Sequence, residues 1–125
     1  MARCPILRPE TVRVSLADGE WLELVKELTA GEYRDMIAAQ FKDSVAGEKP
    51  VLDRRQVGLS MILAYVKAWS FVDQAGNPLA ITEDWLRMFD QPTFVEVREA
   101  VEAHHEASDK AIDARKNAPA TATVS

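Results

Sequence analysis

The feature that most restricts the fold of this sequence is an apolar run in the middle of the chain, at residues 57–72. Glycine, serine and lysine residues interrupt the run, so it lacks the roughly 20 mostly apolar residues that a membrane span needs. We therefore predict a buried helix over residues 53–69 that is apolar on almost every side. Because such a helix is stable in water only when other elements cover it, the rest of the chain must surround it.

The segment TVRVSLADGEWLEL alternates apolar and polar residues on both sides of Asp18-Gly19, which predicts a β-hairpin over about residues 11–26. A two-residue loop would place an acidic side chain on the apolar face. A three-residue loop that ends at Gly19, in the left-handed conformation, instead pairs Val14 with Leu22. The buried face then consists of Val12, Val14, Leu16, Leu22 and Leu24.

A capping box predicts the start of the first helix, which we expect to cover about residues 30–45. Thr29 is the N-cap, and Glu32 stands three residues later. Apolar side chains then recur at helical spacing as far as Val45, so this helix is predicted to be amphipathic.

Two tryptophans flank the connector between the second and third helices. The connector DQAGNP is a turn by composition, and Thr82 caps a short third helix over about residues 82–89. Trp69 ends the predicted central helix and Trp85 begins the inward face of the next. We therefore predict that both fill the corner at this turn, so that Trp85→Ala destabilises the fold by roughly 3–5 kcal/mol.

The fourth helix is predicted over about residues 92–114, because Pro92 suits the first turn of a helix. Its apolar stripe weakens along its length, which predicts that the part beyond about His105 becomes ordered only with a partner. Residues 116–125 lack apolar anchors and are predicted to form a disordered tail. The fold class that follows is α+β and mainly α, one compact domain over residues 1–115. It has an N-terminal β-hairpin followed by about four helices around the central apolar helix.

Charge and cysteine content exclude several classes of function. The chain has 15 Lys and Arg residues against 20 Asp and Glu, a net charge of −5, whereas nucleic-acid binding favours a basic surface. A helix-turn-helix regulator is disfavoured for the same reason, and because the central helix is too apolar to be a recognition helix. Cys4 is the only cysteine, so no internal disulfide can form and a reducing cytoplasm is expected. We predict neither a nucleic-acid partner nor a membrane partner.

No pattern typical of an enzyme is present. His104 and His105 are adjacent, and adjacent helical side chains point about 100° apart, so their rings do not converge on one metal ion. We interpret the pair as a solvated helix edge. The glycines form no phosphate-binding pattern, and no serine lies in a nucleophile elbow. We therefore predict a non-enzymatic protein, without catalytic residues, metal site or cofactor.

Four segments carry a resemblance to a known family. They are GEWLEL (19–24), LTAGE (28–32), WSFVDQAGNPLAIT (69–82) and FVEVREAVEAHHEASDK (94–110). In this order they resemble the tail assembly chaperones of long-tailed bacteriophages, over about residues 10–110.

The resemblance implies a protein that binds the tape-measure protein and helps to recruit tail-tube subunits in the host cytoplasm. It also implies absence from the mature virion and, as in many members, a longer frameshifted product. The alternative is a structural head–tail connector or neck component, which would persist in purified virions.

The family offers no motif of ligand residues, so the residues expected to bind partners are chosen from their expected exposure. They lie on two surfaces. The first, the hairpin surface, is the polar face of the hairpin and consists of Arg13, Ser15, Trp21 and Glu23. An exposed aromatic among polar groups suits a reversible interface, and the strand edges beside it can accept a strand from a tail protein or from a second copy. In the alternative reading, Trp21 packs on the chain's own Pro5 and Ile6.

The second surface, the acidic helix face, is the acidic stripe of the fourth helix. It consists of Glu99, Glu102 and Glu106, preceded at helical spacing by Glu96. Such a stripe is usually a solvated face, and the alternative is a docking surface for a basic partner.

Overall fold

The computed structural model describes residues 3–42 and 51–117, with the backbone alone for residues 42, 54 and 55. The strands of this part are β1 (Thr11–Ser15), β2 (Trp21–Val25), β3 (Phe41–Lys42), β4 (Val51–Leu52) and β5 (Val66–Trp69). Its helices are α1 (Ala30–Ala38), α2 (Arg54–Tyr65), α3 (Glu83–Arg87) and α4 (Gln91–Lys116). The strands form a three-stranded antiparallel sheet in the order β1-β2-β5, and a two-stranded sheet of β3 and β4. The predicted fold class, α+β and mainly α with an N-terminal hairpin, is confirmed.

The hairpin has the predicted register. Val14 lies opposite Leu22, and Val12 lies opposite Leu24. The loop is a short 3₁₀ turn at Ala17–Gly19, and Gly19 adopts the left-handed conformation with φ of 77°. Because the three-residue loop keeps the alternation in phase, Leu22 and Leu24 are both fully buried.

A third strand replaces the end of the predicted central helix. The helix expected over residues 53–69 ends at Tyr65, and the next four residues form β5, which pairs antiparallel with β2. A continuous apolar run is compatible with either a buried helix or a buried strand, so periodicity alone does not locate this change. The strand is favoured because it satisfies the backbone groups along the second side of β2, and because Val and Trp suit strands.

The first helix is also shorter than predicted. It ends at Ala38 instead of residue 45, and Phe41 pairs with Leu52 in the small β3–β4 sheet. The Gln40 carbonyl accepts a hydrogen bond of 2.7 Å from the Asp53 amide, which holds the two strands together at their base. Val45, which was assigned to this helix, lies outside the described residues.

The capping box at the start of α1 is confirmed. The Thr29 hydroxyl accepts the Glu32 amide at 3.1 Å, and the Glu32 carboxylate accepts the Thr29 amide at 3.0 Å. The hydrogen bond from the Thr29 backbone, with help from the Lys67 ammonium at 3.5 Å, lowers the pKa of Glu32.

Helix α2 is central, as predicted, and packs against α1, α3 and α4. Ile62 of α2 and Val97 and Val101 of α4 are fully buried where these two helices meet the core. The two helices approach closely at Gly58, where a Cβ atom would lie 2.7 Å from Cδ of Arg98. Among the helices of the described ranges, none combines the length and apolar character required to cross a bilayer.

The starts of the last two helices follow the predicted signals. The Thr82 hydroxyl accepts the Trp85 amide at 3.2 Å, and Pro92 lies in the first turn of α4 behind the N-cap Asp90. Helix α4 extends two residues beyond the predicted end at 114, to Lys116. The predicted tail at 116–125 therefore begins with a helical residue, and positions 118–125 lie outside the described residues.

The two tryptophans at the connector differ in their environment. Trp69 is buried, donates its indole N–H to the Leu79 carbonyl at 2.8 Å and contacts the rings of Phe71 and Phe89. Trp85 is 37% exposed, so the prediction that it fills the core is wrong. The Thr82 cap fixes the register of a five-residue helix in which Leu86 takes the inward position, and Trp85 then points away from the core.

We expect Trp69→Ala to lower the free energy of unfolding by roughly 3–5 kcal/mol, because it removes a buried aromatic side chain. Trp85→Ala is the matched control, since it makes the same truncation at an exposed position, and its loss should be less than half as large. Urea unfolding followed by circular dichroism measures both. Equal losses would contradict the surface position of Trp85.

Candidate partner-binding site

The edge of the sheet at β1 has backbone groups that no other strand of the described chain uses. Leu16 donates to the Glu20 carbonyl, and Lys26 donates to the Glu10 carbonyl. In this register the even-numbered residues of β1 turn their backbone groups toward β2, so the odd-numbered residues turn theirs outward. The outward groups belong to Thr11, Arg13 and Ser15. The expectation of two open hairpin edges is corrected, because β5 covers the other side of β2.

The four side chains of the hairpin surface share one face, as predicted, but Trp21 is half-buried and not exposed as expected. Arg13 lies opposite Glu23, and Ser15 lies opposite Trp21. The Arg13 guanidinium stands 3.9 Å from the centre of the Trp21 ring, a cation–π contact that leaves Trp21 half-buried. Ile6 is 77% exposed and so is not buried against Trp21 as in the alternative reading. An aromatic and cationic pair therefore lies beside the open edge of β1.

The hairpin is held in place at its tip and at the start of β2. The Glu96 carboxylate of α4 accepts the Ala17 amide at 2.9 Å. The Ser70 hydroxyl accepts the Trp21 amide at 2.9 Å and donates to the Glu20 carboxylate. Because these contacts fix the backbone under Trp21, little ordering of the hairpin is required when a partner binds.

The acidic helix face is a weaker candidate. Glu102 pairs with Arg98 at 3.6 Å on the same helix, and Glu96 is committed to the hairpin tip. Glu99 and Glu106 are exposed and form no ion pair within the described ranges. No hydrogen bond or ion pair between described residues joins this face to the hairpin surface, so the structure does not assemble the two predicted sets into one site.

The interpretation of the histidine pair as a solvated helix edge is wrong, because both rings are half-buried. The Nε2–H of His104 donates to the Val25 carbonyl at 2.8 Å, and Nδ1 of His105 lies 2.7 Å from the Tyr65 hydroxyl. Nε2 of His105 lies 3.3 Å from Asp109, a carboxylate that can only accept, so Nδ1 of the neutral ring accepts the Tyr65 proton.

Tyr65 is the centre of this cluster. Its ring contacts those of His104 and His105 at 5.3 and 5.7 Å, and the Tyr33 ring stacks on His105 at 6.5 Å. Burial, followed by the charge of Asp109, raises the pKa of Tyr65 to about 12, so the phenol keeps its proton at neutral pH. Among the described residues, no group of three or more His, Cys, Asp or Glu side chains is placed to hold one metal ion. The contacts of Tyr65 and the two histidines anchor α4 to α2 and β2.

The cluster lies at the start of the second half of α4, and the prediction that this half becomes ordered only with a partner stays a prediction. Beyond His105 the helix continues to Lys116, and the Arg115 guanidinium lies 2.6 Å from Glu27. Polar contacts there hold the same side of α4 on which Val97 and Val101 are buried. The signal was present in the sequence, since positions 97, 101, 104 and 108 keep helical spacing although the last two are polar.

We expect Tyr65→Phe to lower the free energy of unfolding by about 1 kcal/mol, because Nδ1 of the half-buried His105 loses its hydrogen-bond donor. Amide exchange beyond His105 should become faster in this variant. Tyr33→Phe removes the same atom from an exposed ring that forms no hydrogen bond within the described chain, and should behave as wild type. If the two variants exchange at the same rate, the cluster does not anchor the helix.

Comparisons of the chain with protein-family models, with curated proteins and with solved structures find no match.

Proposed function

We propose that this protein is a non-enzymatic tail assembly chaperone of a long-tailed bacteriophage. In this proposal it binds the tape-measure protein, the tail-tube protein or both during tail morphogenesis in the host cytoplasm, and leaves before the virion is complete. The resemblance of the four segments supports the family. The observation that carries a binding role is the open β1 edge beside the Arg13–Trp21 pair, within the hairpin that opens the resemblance.

Strand addition suits a partner that must later be released. The outward N–H and C=O groups of Thr11, Arg13 and Ser15 give an added strand its direction and register. Each such hydrogen bond contributes about 0.5–1.5 kcal/mol net, so a five-residue edge supplies a modest affinity. Arg13 and Trp21 then favour strands that carry acidic or aromatic side chains facing them.

Ser15→Pro tests the edge directly, because proline removes an outward N–H and blocks the approach of another strand. We expect binding to co-expressed tape-measure and tail-tube proteins to weaken by about tenfold or more, which corresponds to a loss of about 1.4 kcal/mol. Ser15→Thr keeps the N–H and the strand preference and serves as the matched control. Trp21→Ala, which removes the aromatic part of the hairpin surface, should also weaken binding.

Each variant is first compared with wild type by circular dichroism and thermal unfolding, so that loss of binding is not confused with loss of fold. If Ser15→Pro and Trp21→Ala are folded and still bind both tail proteins with wild-type affinity, the hairpin is only structural. If they lose self-association and keep the tail proteins, the edge joins copies of this chain.

The composition of purified virions separates the proposed function from a structural role. A chaperone is expected to be absent from mass spectra of finished particles and present in the lysate of infected cells. A head–tail connector or neck component would be recovered in every particle at fixed stoichiometry. Recovery of this chain from purified virions would therefore replace the chaperone proposal with the structural alternative.

A further inference from the structure

A groove of about 890 Å³ lies between the hairpin tip, the connector after β5 and helix α3. Its apolar part includes Val72, Trp85 and Met88, whose side chains are 53%, 37% and 75% exposed. Three large apolar side chains in one exposed groove are unusual for a surface that contacts only water. The sequence prediction missed this surface because it assigned Trp85 to the core.

The rim of the groove has a single sign of charge. Four of the described residues that line it are acidic and none is basic; the acids are Asp18, Glu20, Asp73 and Asp90. Asp73 accepts the Ala75 and Asn77 amides, and Asp90 accepts the Thr93 amide. These hydrogen bonds fix two of the carboxylates in place, and those to Asp90 lower its pKa. The groove is therefore complementary to an apolar segment that carries positive charge.

The chain itself contains a segment of that chemistry. Residues 3–8, which we call the N-terminal arm, read RCPILR and place apolar residues between two arginines. Ile6 is 77% exposed. Arg3 and Arg8 are exposed and have no ion-pair partner in the described part of the chain. The arm and the groove are each uncovered, and each has the charge and apolar character that the other lacks.

The arm of one copy is poorly placed to reach its own groove. The Lys26–Glu10 hydrogen bond fixes the chain at the end of the hairpin that is opposite the tip. From Glu10 to the tip at Ala17 the strand covers about 24 Å. Residues 3–9 span about 24 Å at full extension and would have to double back along β1. The groove of a second copy imposes no such constraint.

We propose that the N-terminal arm of one copy binds in the acidic groove of a second copy, with Ile6 against Trp85 and Met88 and the arginines at the acidic rim. Because the arm and the groove are different surfaces, one copy can bind a second copy through its arm and a third through its groove, which gives a head-to-tail row. Reciprocal exchange of arms between two copies would instead close a dimer. This inference does not depend on the proposed function. The small contact predicts weak association that weakens further as salt is raised.

Two variants with complementary defects test the proposal on the full chain. The arm variant combines Ile6→Ser with Arg8→Glu, and the groove variant is Met88→Lys, which adds a positive charge at an exposed position. Val51→Lys is the matched control, because it adds the same charge to an exposed apolar residue that does not line the groove. Sedimentation equilibrium measures the average mass of each protein as its concentration rises.

Wild type and Val51→Lys are expected to form larger species as concentration rises. The arm variant and the groove variant should each associate at least about tenfold more weakly, a loss of about 1.4 kcal/mol. An equimolar mixture of the two should form a dimer that grows no further, because the intact arm of one meets the intact groove of the other. A contact in which the same surface of two copies meets itself would not be restored by mixing.

Three results would overturn the proposal. The first is a wild-type protein that stays monomeric up to about millimolar concentration, where even contacts of about 4 kcal/mol are populated. The second is a Met88→Lys variant that associates as strongly as Val51→Lys. The third is a mixture in which both variants remain monomeric. Loss of association in Ser15→Pro, with the arm and groove variants unaffected, would place self-association on the β1 edge instead.

Discussion

The pairing of β5 with β2 is the interaction on which the rest of the structure depends. A two-stranded hairpin is marginally stable alone, and β5 adds a third strand that makes β2 the central strand of the sheet. Leu22 and Trp69 lie opposite each other in this pairing, and both are buried. Since β5 follows Tyr65 of α2 without an intervening loop, the central helix and the hairpin become one unit. Every contact that the other helices make with either element then stabilises both.

Helix α4 contacts this unit from its first turns to its last. Its contacts with the hairpin region occur in order, as Glu96 binds Ala17 at the tip, His104 binds Val25 at the end of β2, and Arg115 binds Glu27 beyond it. A helix of 26 residues is about 39 Å long, which is enough to cover β2 and the segment after it. The apolar contacts of α4 lie in its first half and polar contacts follow. This order explains why an apolar stripe alone underestimates how far the helix is anchored.

Local signals in the sequence predicted local structure well. The hairpin register follows from alternation and from the loop that ends at Gly19, and the starts of α1 and α3 follow from Thr29 and Thr82. The strand β5 was not predictable in this way, because a buried apolar run has no periodicity and its partner strand lies more than 40 residues earlier in the chain. The environments of Trp85 and the two histidines depend on neighbours from other elements, so the sequence pattern predicted them wrongly. It predicted a buried Trp85 and solvent-exposed histidine rings.

The same limit applies to the candidate site. The side chains of the hairpin surface share one face because β-strands alternate, so their grouping was predictable from spacing. Which strand edge stays open was not predictable, since it depends on where β5 pairs.

The two candidate contact surfaces are connected through the start of β1. The arm at residues 3–8 leads directly into the strand whose edge is open, with Glu10 held by Lys26 between them. A bound arm would therefore restrict the direction in which the chain enters β1. It would also reduce the freedom of the backbone groups at Thr11 that an added strand meets first.

In a row of copies joined from arm to groove, the open edges would recur at a constant spacing set by the rigid hairpin. An extended partner that offers a strand to each edge would then gain from effective concentration, because its second contact is intramolecular once the first has formed. Weak individual contacts are sufficient for such an assembly, and they keep it reversible.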